Sequence, residues 1–101
     1  LKTEFRNIQL VIYYELNYTD ELLSLIDSYK HFLTRDKDIA AKTKELSSEF
    51  IRIVSKLVKV KFDEDKESVE LLKNEVMNST YFNFREWFVM KLDDIINNKS
   101  R

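Results

Sequence analysis

The sequence predicts an all-α fold of about five helices in antiparallel hairpins, either a small helical bundle or a fragment of a helical solenoid. Three observations lead there. Apolar residues recur at three- and four-residue spacing along the 101 residues, which places them on one side of a helix. The chain has no Gly, so the positive-φ positions of tight hairpin turns have no inexpensive occupant and a β-rich fold is disfavoured. The polar breaks between apolar stretches are short, about three to six residues, so consecutive helices should run antiparallel.

The first helix is expected from about Lys2 to Leu16, with Phe5, Ile8, Ile12 and Leu16 on its apolar stripe. Asn17 ends it, being the best left-handed residue in a chain that lacks Gly. Asn17 or Thr19 caps the second helix, and Asp20 and Glu21 suit the partial positive charge of its first turn. Leu22, Leu25, Ile26, Tyr29, Phe32 and Leu33 form the stripe of that helix. Arg35 to Asp38 make the next connection.

The third helix, the longest, is expected from about Asp38 to Lys61 with Leu46, Phe50, Ile53, Val54, Leu57 and Val58 as its stripe. Asp63, Glu64 and Asp65 break it and begin the fourth, which buries Val69, Leu72 and Val76. Asn78, Ser79 and Thr80 close the fourth. Asn83 with Glu86 resembles a capping box, with Asn in place of the usual Ser or Thr, and opens the fifth. Phe84, Trp87, Phe88, Leu92 and Ile95 form its inner face, and Phe82 staples onto its first turn. The second and third helices make one hairpin, the fourth and fifth another.

Two stretches are apolar in every direction. Each helical residue advances by about 100°, so the run Leu10, Val11, Ile12, Tyr13, Tyr14 leaves no polar side on the first helix. The run Trp87, Phe88, Val89, Met90 does the same on the fifth. The chain fits one domain, residues 1–101. It starts at Leu rather than Met, which suggests a C-terminal fragment of a longer protein. The first helix is then expected to lack a neighbour and to expose Leu10, Val11 or Tyr14. Leu10, Val11, Tyr13 and Tyr14 are the candidate interaction surface, with a homodimer through this helix as one outcome.

The run NIQLVIYYELNYTDELLSLIDSYKHFLTRDK, from Asn7 to Lys37, resembles the C-terminal region of large bacterial proteins related to tetratricopeptide-repeat arrays. In those, a tyrosine-containing helix precedes a leucine-rich helix ending like Asp27–Leu33. A long helix and a late Trp-and-Leu helix follow, matched here by Glu86-Trp87 and Lys91-Leu92. The resemblance implies a helical-repeat scaffold and a protein-contact role, and it brings no reaction with it.

Chemistry finds little foothold. Without Gly there is no phosphate-binding loop, and without Cys there is no disulfide framework, thiolate metal site or thiol nucleophile. Cys-free composition and the lack of a visible signal peptide agree with a reducing compartment, the cytoplasm. Seventeen basic against eighteen acidic residues argue against a dedicated electrostatic binder of duplex nucleic acid. No apolar run is long enough to span a membrane.

His31 is the single histidine. It lacks the companion spacing of a metal site, and Asp27 four residues earlier is its natural hydrogen-bond partner. The carboxylates at Asp63–Asp65 and Asp93–Asp94 do not match a calcium loop. The first group reads as dipole compensation after Lys56, Lys59 and Lys61. The serines lack a nucleophile elbow or a His/Asp partner set, and three N-x-S/T triplets at Asn17, Asn78 and Asn98 read as coincidental.

Arg52, Lys56 and Lys59 share one face of the third helix and form an alternative nucleic-acid contact, though no aromatics interleave with them. The expectation is a structural, protein-contacting domain with no enzyme activity, no cofactor and no metal.

Overall fold

Five amphipathic stretches become five helices in the computed structural model, which describes residues 2–79 and 83–99. They are α1 (Lys2–Glu15), α2 (Thr19–Arg35), α3 (Ala41–Asp63), α4 (Lys66–Asn78) and α5 (Arg85–Lys99). No strand occurs among the described residues. Thr80, Tyr81 and Phe82 lie outside them, and with them the staple expected before α5. Internal contacts gather the chain into two compact units, Leu1–Ser55 and Lys56–Arg101, with α3 running through the boundary.

In the first unit α1 and α2 form an antiparallel hairpin. Asn17 takes the left-handed conformation at φ 59°, as expected of it. The Tyr18 amide donates to the Tyr13 carbonyl at 2.9 Å and the Asn17 amide to that of Tyr14 at 3.1 Å. The rings of Tyr13 and Tyr18 lie 6.2 Å apart. Crossed hydrogen bonds closed by an apolar contact make a Schellman stop, so the last carbonyls of α1 are satisfied without Gly. Tyr18, and not Asn17 or Thr19, occupies the N-cap position of α2, and it makes no side-chain cap bond.

The hairpin closes at its far end through Lys2 and Asp36, whose Nζ and Oδ2 are 2.9 Å apart. Beside them the Arg6 guanidinium sits 3.7 Å from the centre of the Phe32 ring. Asp36 Oδ1 also accepts the Asp38 amide at 2.8 Å. That side-chain turn competes with helical hydrogen bonding, so α3 starts at Ala41 and not at Asp38.

Leu22, Ile26, Tyr29 and Leu33 of α2 are buried, as are Phe50, Ile51, Ile53 and Val54 of α3. Leu25, Phe32 and Leu46 are only half-buried. On α1 the buried face is Thr3, Asn7, Leu10 and Tyr14. The expected stripe of Phe5, Ile8, Ile12 and Leu16 is the exposed one. Polar chemistry explains the inversion. Tyr29 is fully buried and its hydroxyl requires partners. It reaches Asn7 Oδ1 at 2.6 Å and the Thr3 carbonyl at 3.3 Å, and it also bonds with Ser47 of α3. Burial pushes the Tyr29 phenol up from its ordinary pKa.

In the second unit α4 pairs with α5, and side chains at the end of α3 reach α4. Lys56 Nζ lies 3.4 Å from Glu75 Oε2, and Lys73 Nζ lies 2.8 Å from Asp93 Oδ1. Leu57, Val60, Val69, Leu72, Val76, Phe88, Leu92 and Ile95 are buried. Trp87 meets Phe88 edge-on at 5.2 Å between ring centres.

Glu64 ends α3 at φ 54° and Phe84 precedes α5 at φ 68°, conformations that Gly would adopt freely. Because α5 begins at Arg85 behind Phe84, Asn83 sits one residue too early to cap it. Phe84 is exposed and does not enter the core beside Phe88.

Candidate interaction face

α1 carries two series on opposite sides, one partly polar (Thr3, Asn7, Leu10, Tyr14) and one wholly apolar (Phe5, Ile8, Ile12, Leu16). Residues 3, 7, 10 and 14 point about 180° away from residues 5, 8, 12 and 16 when each advances by about 100°. The first series is inside. The second lies in the open, with Phe5 71% exposed and Ile8, Ile12 and Leu16 each about half exposed. Together these four leave roughly 400 Å² uncovered, a patch size that on monomers often has a function.

Placement of the expected surface residues follows from this. Leu10 and Tyr14 are buried and are unable to present a contact surface. Val11 and Tyr13 are half-buried on the flanks, where Gln9 Nε2 donates to the Tyr13 hydroxyl at 3.2 Å. Of the four expected residues Leu10 and Tyr14 lie inside and Val11 and Tyr13 stay partly open, while the most uncovered apolar side of α1 is the Phe5–Leu16 series. What could have revealed it is Asn7, a polar residue in step with Leu10 and Tyr14 and able to reach Tyr29.

The basic series on α3 lies among acids. Arg52 Nε donates to Glu49 Oε2 at 3.0 Å, and Lys56 faces Glu75. Lys59 shares a groove of about 240 Å³ with Lys56, Asp63, Ser68 and Glu75 over a floor of Val60 and Leu72. Cations interleaved with carboxylates present phosphate with a mixed field and not a positive one.

A second groove of about 430 Å³ lies along α4 and α5. Both methionines, Met77 and Met90, line it with Arg85, Glu86, Val89 and Asp93. Phe62, 88% exposed and the most open large apolar side chain among the described residues, lies near the end of α3.

His31 Nδ1 lies 3.7 Å from Asp27 Oδ2 with both side chains exposed, a surface pair. Asp93 meets Lys73 and Asp94 meets Lys91. Ser28 and Ser55 donate to the carbonyls of Leu25 and Ile51. Among the described residues no group of three or more His, Cys, Asp or Glu is placed to hold a metal. Nor is any described helix long and apolar enough to cross a membrane.

Comparison with known proteins finds no match. No family model, no curated protein and no solved structure matches this chain. The outer face of α1 has to be interpreted from its own chemistry.

Proposed function

We propose that this is a structural, protein-contacting helical domain with no catalytic role, docking a partner along the outer face of α1. The observation that carries the reading is the line of Phe5, Ile8, Ile12 and Leu16 in the open on one side of a helix whose other side is already packed. Helical-repeat arrays bury such faces against the adjoining layer. The resemblance of Asn7–Lys37 to such arrays makes a scaffold-ending position the corresponding biological role. The alternative, nucleic acid along Arg52, Lys56 and Lys59, draws less support because Glu49 and Glu75 sit among those cations.

Covalent side-chain footprinting of the natural protein in cells, against the isolated 101-residue chain, tests this. Phe5, Ile8 and Ile12 should react in the isolated chain and be protected in cells, while exposed Leu23 of α2 reacts in both. Equal reactivity of the α1 residues in the two settings would remove the proposal.

A further inference from the structure

We propose that the groove along α4 and α5 is an oxidation-sensitive surface, in which hydroperoxides convert Met77 and Met90 to sulfoxides while the fold stays intact. The proposal is independent of the reading of α1. The chain has no Cys and two Met, so these thioethers are its entire sulfur chemistry. Both line the same groove of about 430 Å³. Met77 stands on α4 and is 55% exposed, and Met90 stands on α5 and is 56% exposed. An oxidant therefore meets both side chains at the surface, with no need to open the protein.

Oxidation of methionine commonly damages a core, because it turns an apolar side chain polar. Neither methionine belongs to the core here. Val69, Leu72 and Val76 fill the inner side of α4, and Phe88, Leu92 and Ile95 that of α5. The two helices are joined beside the groove by Lys73 and Asp93 at 2.8 Å, a pair that does not depend on sulfur. What the thioethers supply is the apolar lining. Arg85, Glu86, Asp93 and Asp94 contribute charge to the groove, whereas Met77, Met90 and Val89 contribute its apolar side chains. Two sulfoxides would leave Val89 as the one apolar side chain among the described residues that line it.

The step balances with the peroxide alone. A sulfur lone pair attacks the terminal oxygen of the hydroperoxide, so that an S–O bond forms as the O–O bond breaks. The proton on the attacked oxygen passes to the leaving oxygen, which departs as water or, from an organic hydroperoxide, as an alcohol. Sulfur is oxidised by two electrons and the peroxide is reduced by two. Methionine sulfoxide reductases reverse the change, which returns the groove to its apolar state.

The test treats the 101-residue chain with dilute hydrogen peroxide and follows it by peptide mass mapping, circular dichroism and urea denaturation. Both sulfoxides should form at a rate close to that of an unstructured methionine peptide. The helical spectrum and the urea midpoint should not move. An apolar photoreactive diazirine should label Val89 before oxidation and much less after it, and the reductases should restore the labelling. In the double variant Met77→Leu with Met90→Leu, which keeps the groove apolar, peroxide should leave Val89 labelling unchanged.

Sulfoxides that form only once urea has unfolded the chain would overturn the proposal. So would loss of helix on oxidation, or Val89 labelling that oxidation does not alter. A fall in labelling that persists in the double variant would trace the change to other residues and overturn it too.

Discussion

The Tyr29 hydroxyl donates to Asn7 Oδ1 across 2.6 Å of protein interior, joining α2 to the buried side of α1. Removing the hydroxyl leaves a buried carboxamide oxygen without its donor. Tyr29→Phe should therefore cost about 1–3 kcal/mol in urea denaturation. Adding Asn7→Leu should cost less than the sum of the two single changes, because the second removes the stranded group. Strict additivity would mean that the two side chains do not act together.

The same hydroxyl has a pH signature. The folded phenol is raised above an ordinary tyrosine, so its contribution is complete below about pH 10 and is lost as pH climbs through the folded value. In absorbance titration of the phenolates, one late step should fall above the ordinary tyrosine range. That late step should be missing in Tyr29→Phe.

Lys2 and Asp36 set an acid limit. The hydrogen bond from Lys2 holds the Asp36 carboxyl below the usual range, and the bond to Asp36 raises Lys2. A lowered carboxyl stabilises fully above about pH 3.9 and less as pH falls through its own lower value. A raised lysine loses its share as pH rises beyond about 10.4. In Asp36→Asn the fall of Tm below about pH 4 should be shallower; an unchanged acid limb would refute the assignment.

Glu64 pays for a conformation that suits Gly. Glu64→Gly should raise stability by up to about 1 kcal/mol, the left-handed cost being partly offset by the freedom Gly regains when unfolded. Glu64→Ala keeps the Cβ and should give no such gain. Thermal melts of the three proteins decide it.

Two phenylalanines should behave oppositely. Phe88 is fully buried and Phe62 almost fully exposed. Phe88→Ala should cost about 3–5 kcal/mol, whereas Phe62→Ala should stay within about 0.5 kcal/mol. Matching losses would place Phe62 inside the fold.

The helices were legible where apolar periodicity was unambiguous. Val69, Leu72 and Val76 on α4, and Phe88, Leu92 and Ile95 on α5, are buried as their spacing predicts. Asn17 was legible because a chain without Gly offers few residues for a left-handed stop. Helix starts were less so, since the Asp36 side-chain turn delays α3 and Phe84 occupies the position before α5.

The candidate face was misread for a specific reason. α1 has two usable stripes, and the more hydrophobic of them is the outer one. Periodicity ranks the stripes by greasiness. The structure selects by whether Tyr29 finds its partners, which depends on a residue 22 positions away in the chain.

The polar knot of Asn7, the Thr3 carbonyl, Tyr29 and Ser47 thus acts as a key in a keyway. A rod greasy on both sides would otherwise be free to roll half a turn about its long axis and hide Phe5, Ile8 and Ile12 instead. By admitting α1 in one orientation only, the knot decides which side of that helix is left outward, though it lies wholly inside.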